Sequence, residues 1–380
     1  KIIAVYLLPC IAIANFSTPW IKFALVYSPL LFLYAGIPTH ELILTTEPLI
    51  SFKSCVCSDS SLPAFFPDNP SLMVTPGNWP RSAFFKVSSS ALLENVSYMP
   101  LLINEMLLHS KFTKKEVKQI IMQSVTELKQ YIMADGMRVA MKASSASFSK
   151  EAAFTDKCVS GIGLYDFYNN LLSNYNHNEV KEKLNSVVQR LFNKKNVKIS
   201  LSGDEKVLSS LTNAVREIKL PRKSYEHVLD VKLSECKSSS LIIPAGISYN
   251  SLSFNLENIN ERFKGSALVL TQIVNYDYLW AEIRVKGGAY GCGLSIGRNN
   301  NVSFGSYRDP NVVNTYKVFN EITSYLDKFN PSKEEFNSYV IGSMSSFDAP
   351  LSTPSLINAW DINYINGYTS KDKKALKKEI

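Results

Sequence analysis

Arg284 and Tyr290 stand on either side of the pair Gly287-Gly288. A guanidinium and a phenol are both hydrogen-bond donors, and both can bond one polarised carbonyl oxygen if a turn brings them to the same point. Such a pair would grip a substrate. The competing reading is structural: Arg284 ends a helix and Tyr290 packs in a sheet.

The preceding residues set that geometry. Leu268, Gln272, Tyr276, Leu279 and Ile283 recur every three or four positions. A long helix is therefore expected from Arg262 to Arg284, ended by the two glycines, with Tyr290 opening the next strand. Gly287 and Gly288 are expected to permit a sharp turn and the close approach of a substrate backbone. The run Gly287-Gly288-Ala289-Tyr290-Gly291-Cys292-Gly293 is not a phosphate cradle, because a nucleotide loop follows a strand and opens a helix. An edge strand beside the turn would suit a peptide added as an extra strand. Downstream, Arg308 has two readings, substrate contact or pairing with local carboxylates and carbonyls. Asp309 and Pro310 read as the N-cap and first residue of the next helix.

No metal motif accompanies this block. A zinc peptidase of the inverted kind needs H-x-x-E-H on one helical turn, two neutral imidazoles for the ion and a glutamate for its water. The four histidines, His40, His109, His177 and His227, are isolated, and His40-Glu41 lacks a second histidine at either spacing. Cys10, Cys55, Cys57, Cys158, Cys236 and Cys292 are scattered, and Cys55-Val56-Cys57 is not a zinc knuckle. Their sparseness fits a reducing compartment. Cys292, beside Tyr290, is open to two readings, a reactive thiol or a buried inert one; no histidine partner is near it in sequence.

The ordered combination of Leu279-Trp280, Arg284-Val285-x-Gly287-Gly288-Ala289-Tyr290-Gly291 and Ser306-Tyr307-Arg308-Asp309-Pro310 resembles the C-terminal half of the pitrilysin/insulinase-like zinc metallopeptidases, within them the presequence-peptidase and falcilysin-like subfamily. Weaker likeness extends upstream through Ala91-Leu92, Glu94-Asn95, Lys111-Phe112-Thr113, Ser160-Gly161 and Tyr165. The resemblance covers most of residues 80 to 350. It implies half of a clamshell with an α+β fold (an α/β sandwich), made of two tandem, structurally similar domains of mixed sheet packed with helices. Residues 1–220 would form the first, non-zinc domain, and residues 221–380 the second, inactive-type domain carrying the Arg/Tyr site. It also implies zinc in a partner N-terminal half, fused or separate, and none in this chain. Arg284 and Tyr290 would hold the scissile carbonyl of short unfolded peptides and steady the tetrahedral intermediate. A free-standing, non-catalytic peptide-binding subunit is the alternative.

Composition bounds the rest. The 380 residues are long enough for two cores, and 46% hydrophobic with 19% charged residues is globular. A net charge of +8 is moderate, and the lysine run from Lys371 to Lys378 reads as a solvated helix face. Aromatics are not interleaved with arginines as in an RNA binder, so no nucleic-acid partner is expected. The apolar opening is split by Lys22 and broken by Pro9, Pro19 and Pro29. It reads as a buried strand from Ile2 to Ala14 and a core helix rather than a membrane span or secretory signal. An intracellular setting, cytosol or a mitochondrion-like matrix, is expected, with no visible targeting signal. The absent start Met and the abrupt end at Ile380 raise the expectation of a piece of a longer polypeptide.

Other elements follow from pattern. Strands are expected at Leu49–Cys57, Ser82–Val87, Val197–Ser202, Leu241–Ile247 and Ser251–Leu256. Thr39–Glu47 and Leu92–Leu108 read as helices, the latter kinked at Pro100, and Ser58–Pro80 as a loop. A helix opens at Thr113 with a capping box to Glu116, a Phe112–Val117 staple and the stripe Val117, Ile121, Val125, Leu128 and Ile132. The cluster Met122, Met133, Met137 and Met141 reads as core filling. Helices follow over Gly163–Leu172 and Asn178–Phe192. Later ones start after Asp309, with Val312, Tyr316, Phe319 and Leu326 inward, at the Ser332/Glu335 capping box, and near Ser370.

Overall fold

The computed structural model describes residues 3–11, 50–56 and 83–91, and the chain from 98 onward except 99, 101–102, 106–108, 192–193, 195–196, 203–204, 217–219, 221–230 and 236–237. The expected helix after the first strand, the Thr39–Glu47 helix, the 58–80 loop, His40 and His227 lie outside the described residues. Of the helix expected over Leu92–Leu108, residues 98, 100 and 103–105 are described, and they are helical.

Two compact units interleave along the chain. One gathers Lys1–Ser58, Ser82–Leu128 and Lys157–Asp230, the other Asp59–Arg81, Lys129–Asp156 and Val231–Ile380. In the first, β1 (Ile3–Ile11), β2 (Ile50–Val56), β3 (Ala83–Ala91) and β4 (Val197–Ser202) form an antiparallel sheet in the order β2-β3-β1-β4. All four fall where short apolar or alternating runs lead one to expect strands.

The helices of this unit are most of α1 (Lys114–Ala134), the end of α3 (Lys150–Cys158), α4 (Ile162–Ser173), α5 (His177–Leu191) and α6 (Glu205–Arg216). Val117, Ile120, Ile121 and Leu128 of α1 meet Leu164, Phe167, Tyr168 and Leu171 of α4 and Val180 and Leu184 of α5 in one core, with Phe112 and Val125 packed against it. The stripe is therefore the buried face, as its spacing requires. At the start of α1, Thr113 Oγ1 donates directly to the Glu116 carboxylate.

The second unit is built around β5 (Ser248–Asn255), β6 (Gly291–Ile296) and β7 (Asn301–Asp309), antiparallel in the order β5-β7-β6. The segment Leu241–Ile247, expected as a strand, is irregular and carries Ile242 almost fully exposed; three consecutive apolar residues there lack a sheet to cover them. One sheet face takes α2 (Gly136–Ser145). Ser144 Oγ lies 2.6 Å from Ser253 Oγ and 3.0 Å from Ser251 Oγ, and Ser145 Oγ 3.3 Å from Ser303 Oγ. A side chain at Gly305 would collide with Met137 and Met141. Half of the methionine cluster thus does fill a close contact, whereas Met122 is exposed.

The other face receives one continuous helix, α7 (Ser266–Ile273), which widens into π winding from Val274 to Lys286. Val274, Tyr278, Leu279 and Ile283 join Cys292, Leu294, Val302, Phe304, Val318 and Phe319 in the core. These helix positions are spaced by four as well as by one, and Tyr276 is exposed. Leu279 and Ile283 of the expected stripe stay buried, joined by Val274 and Tyr278, while Tyr276 falls outside the core.

Beyond β7 come α8 (Val312–Asn320), α9 (Ile322–Leu326), α10 (Lys333–Phe347), α11 (Thr353–Ile365) and α12 (Ser370–Lys378). The Ser332/Glu335 capping box is formed, and Thr369 with Asp372 makes another at α12. Asp309 is not the N-cap of α8. Asn311 holds that position, and Thr315, Val318 and Phe319 face inward while Val312 is exposed.

Largely buried Lys142, on α2, donates to Tyr131 Oη at 3.2 Å. Burial lowers its pKa from 10.5 to about 8, opposed by the charge of Asp135. The native state then binds fewer protons than the unfolded chain between those values, so this residue makes stability rise with pH from about 8 to 10.5. Lys142→Met should therefore be more stable than wild type below pH 8, by a margin that shrinks towards pH 10.5, as read by urea unfolding across that range.

Candidate functional site

The helix–turn–strand from Trp280 to Tyr290 forms as its composition asks. Gly288 N donates to Arg284 O and Ala289 N to Ile283 O, both at 3.1 Å, a Schellman-like ending widened by the π winding. Gly288 has φ 80°, and a Cβ at Gly287 would lie 2.5 Å from Ile283 O. Both glycines are needed, one for its backbone angle and one for close approach.

The turn brings Arg284 and Tyr290 together. The Arg284 guanidinium carbon lies 4.0 Å from the Trp280 ring centroid and 5.6 Å from that of Tyr290. Tyr290 is 61% exposed and Arg284 half-buried. The Tyr290 ring meets Tyr307 edge-on at 5.9 Å, and Tyr307 meets Tyr249 at 5.3 Å. Trp280, Tyr307 and Tyr249 were not singled out as functional side chains from sequence. Trp280 four positions before Arg284 on a helix was the available signal; Tyr249 had none.

A buried network fixes the turn. Asp309, 1% exposed, accepts from Asn250 Nδ2 at 3.1 Å, from Thr315 Oγ1 at 2.5 Å and from Asn311 N at 2.8 Å. Asn311 Nδ2 in turn donates to Gly287 O at 2.9 Å. Asp309 thus ties the end of β7 to the start of α8 and, through Asn311, to the glycine turn.

Cys292 is buried, its Sγ donating to Leu279 O at 3.2 Å. Burial pushes the thiol up to about 12, outweighing the nearby Arg284 cation. It is the inert thiol of the two readings. Iodoacetamide at pH 8 should leave Cys292 unmodified in the native protein and label it after denaturation, as peptide mass mapping would read.

The added-strand mode does not have a free edge at Leu294. There Asn275 accepts from Leu294 N at 2.5 Å and donates to Leu294 O at 3.1 Å, filling both backbone groups. Among the described residues, no group of three or more His, Cys, Asp or Glu could hold a metal ion. His177 instead shares a hydrogen bond with Tyr175 at 3.1 Å. The donor set for a zinc ion does not fit these residues. No helix among them is long and apolar enough to cross a membrane.

Two family models match the chain: the PreP C-terminal domain over residues 238–380, and the associated region of peptidase family M16, subfamily C, over residues 70–171. The chain belongs to the presequence-peptidase-like subfamily of the M16 peptidases. It falls within the C-terminal half of such a peptidase. Among curated relatives, Protein HypA of Clostridium perfringens is 28% identical over 301 residues, covering 78% of this chain and 31% of that protein. The mitochondrial presequence protease of Danio rerio is 24% identical over 322 residues, 77% of this chain and 31% of its own length. This M16 chain thus spans about a third of the length of these relatives. Its α+β fold matches the peptidase M16 inactive domain of Pseudomonas fluorescens, with TM-score 0.58, 12% identity, and coverage of 100% of this chain and 90% of that one.

Proposed function

We propose that this chain is the zinc-free half of an M16 metalloendopeptidase that degrades short unfolded peptides. It closes with a zinc-bearing N-terminal half, fused or separate, and supplies Arg284 and Tyr290 to the scissile carbonyl. The observation that carries the reading is the convergence of these two donors at one exposed turn, with Trp280 stacked behind the guanidinium. As the carbonyl becomes tetrahedral its oxygen gains charge, and preformed donors then bind it more strongly than they bind the ground state. Trp280 and the Asp309 network keep the donors from having to reorganise at that moment. In this reading activation of water belongs to the zinc half, which supplies the ion's ligands. Its partners are then that half and the peptide, with neither nucleic acid nor membrane, in the cytosol or an organelle matrix.

A second reading rests on the same exposed turn: a free-standing subunit that holds peptides without cleaving them. Mixing separately produced zinc half and this chain with an unstructured fluorogenic peptide distinguishes the two. Hydrolysis only in the mixture supports the peptidase. Peptide binding with no hydrolysis in any mixture supports the clamp.

A further inference from the structure

Arg308 is an exposed cation next to the same aromatic rings, and its conformation is unusual. β5 and β7 pair as Ser248 with Asp309 and Asn250 with Ser306, so Tyr249 alone faces both Tyr307 and Arg308. The extra residue makes a bulge, a device that re-aims side chains near functional sites. Arg308 has φ 49°. A glycine would take that angle freely, whereas another residue forfeits roughly 1–2 kcal/mol there.

The guanidinium is held but not neutralised. It lies beside the phenols of Tyr307 and Tyr249, which raise its pKa, and its side chain is exposed. Both phenols spend their own hydrogens on the end of α1, Tyr249 on Met133 O at 2.7 Å and Tyr307 on Ala134 O at 2.9 Å. Each oxygen is therefore left as an acceptor for Arg308. Among the described residues no carboxylate forms an ion pair with Arg308, and its side chain is exposed.

Arg308 and Arg284 end one strip. From Arg284 to the Tyr290 ring is 5.6 Å, from that ring to Tyr307 is 5.9 Å, and from Tyr307 to Arg308 is 5.7 Å. An extended peptide, rising about 3.3 Å per residue, crosses it within about five residues. We propose that Arg308 receives a carboxylate of the peptide whose scissile carbonyl lies at Arg284 and Tyr290, and so sets a preference for acidic groups at that distance. A planar fork with free donors matches a carboxylate bidentately, which a lone lysine would not. The proposal rests on the function given above for Arg284 and Tyr290.

The test compares three peptides of one sequence in the assembled, zinc-loaded peptidase: one with Asp a few residues from the cleaved bond and a free C-terminus, one with Asn for Asp, and one amidated at its end. The parent peptide should exceed one of the other two about tenfold in kcat/KM, mainly through KM, the scale of a charge-assisted bidentate bond. Sensitivity to Asn identifies a side-chain carboxylate as the source, and sensitivity to amidation the C-terminus. Arg308→Gln should erase the preference, and so should Arg308→Gly, which keeps the bulge angle without strain and so removes misfolding as the cause. A preference that survives both variants, or that wild type never shows, would overturn the proposal. Arg284→Ala runs alongside. If it has no effect on any peptide, the reading of Arg284 and Tyr290 fails; if it slows all three while Arg308 variants change no ratio, only the role of Arg308 fails.

Discussion

Arg284→Ala should lower kcat/KM for peptide hydrolysis by the assembled peptidase about a hundredfold, or ~3 kcal/mol of transition-state binding, the scale of one preorganised donor. The loss should fall on kcat more than on KM, because the oxyanion, not the ground-state carbonyl, is what the guanidinium serves. Arg284 is half-buried, and its guanidinium lies against the rings of Trp280 and Tyr290. Its removal strands no buried charge, so the thermal midpoint should move little. Steady-state kinetics with calorimetry on the same samples checks both halves of the expectation. A drop in stability matching the drop in rate would assign Arg284 to the fold instead.

Asp309→Ala should do the opposite and act on stability first. Its carboxylate serves three donors in a site with 1% exposure, and Ala leaves Asn250, Thr315 and the Asn311 amide without that acceptor. The expected cost is about 3 kcal/mol or more, seen as a lower urea midpoint. Activity should fall as well, since Asn311 is the link to Gly287 O. Asp309→Asn should recover part of the stability, because an amide oxygen still accepts. Equal stability of wild type and the Ala variant would show that the network is not what anchors the turn.

How much of this was legible in sequence depends on how local each cause is. The Ser332/Glu335 box was readable because both partners lie within one turn. The α1 stripe and its core face were readable because one helix carries the whole pattern. Arg284 and Tyr290 were readable as a pair because the two glycines between them announce a turn, and that turn does bring the side chains together. Asp309 was misplaced as an N-cap, because its decisive partner Asn250 sits on another strand and sequence shows only the following Pro310. The π winding could not be seen: no apolar spacing marks it, and it runs where Tyr278, Leu279 and Ile283 join the core of the sheet. The strip through Tyr307 and Tyr249 depends on the register of β5 against β7, including its bulge, which no short window of residues contains.

The most direct measurement is single-turnover hydrolysis by the assembled peptidase carrying Arg284→Ala together with Tyr290→Phe, with the peptide Kd determined on the same protein. The expected result is a chemical step slowed by at least about a hundredfold, the donor scale used above, with peptide binding changed far less. A wild-type rate in that double variant would contradict the assignment of the carbonyl to this pair.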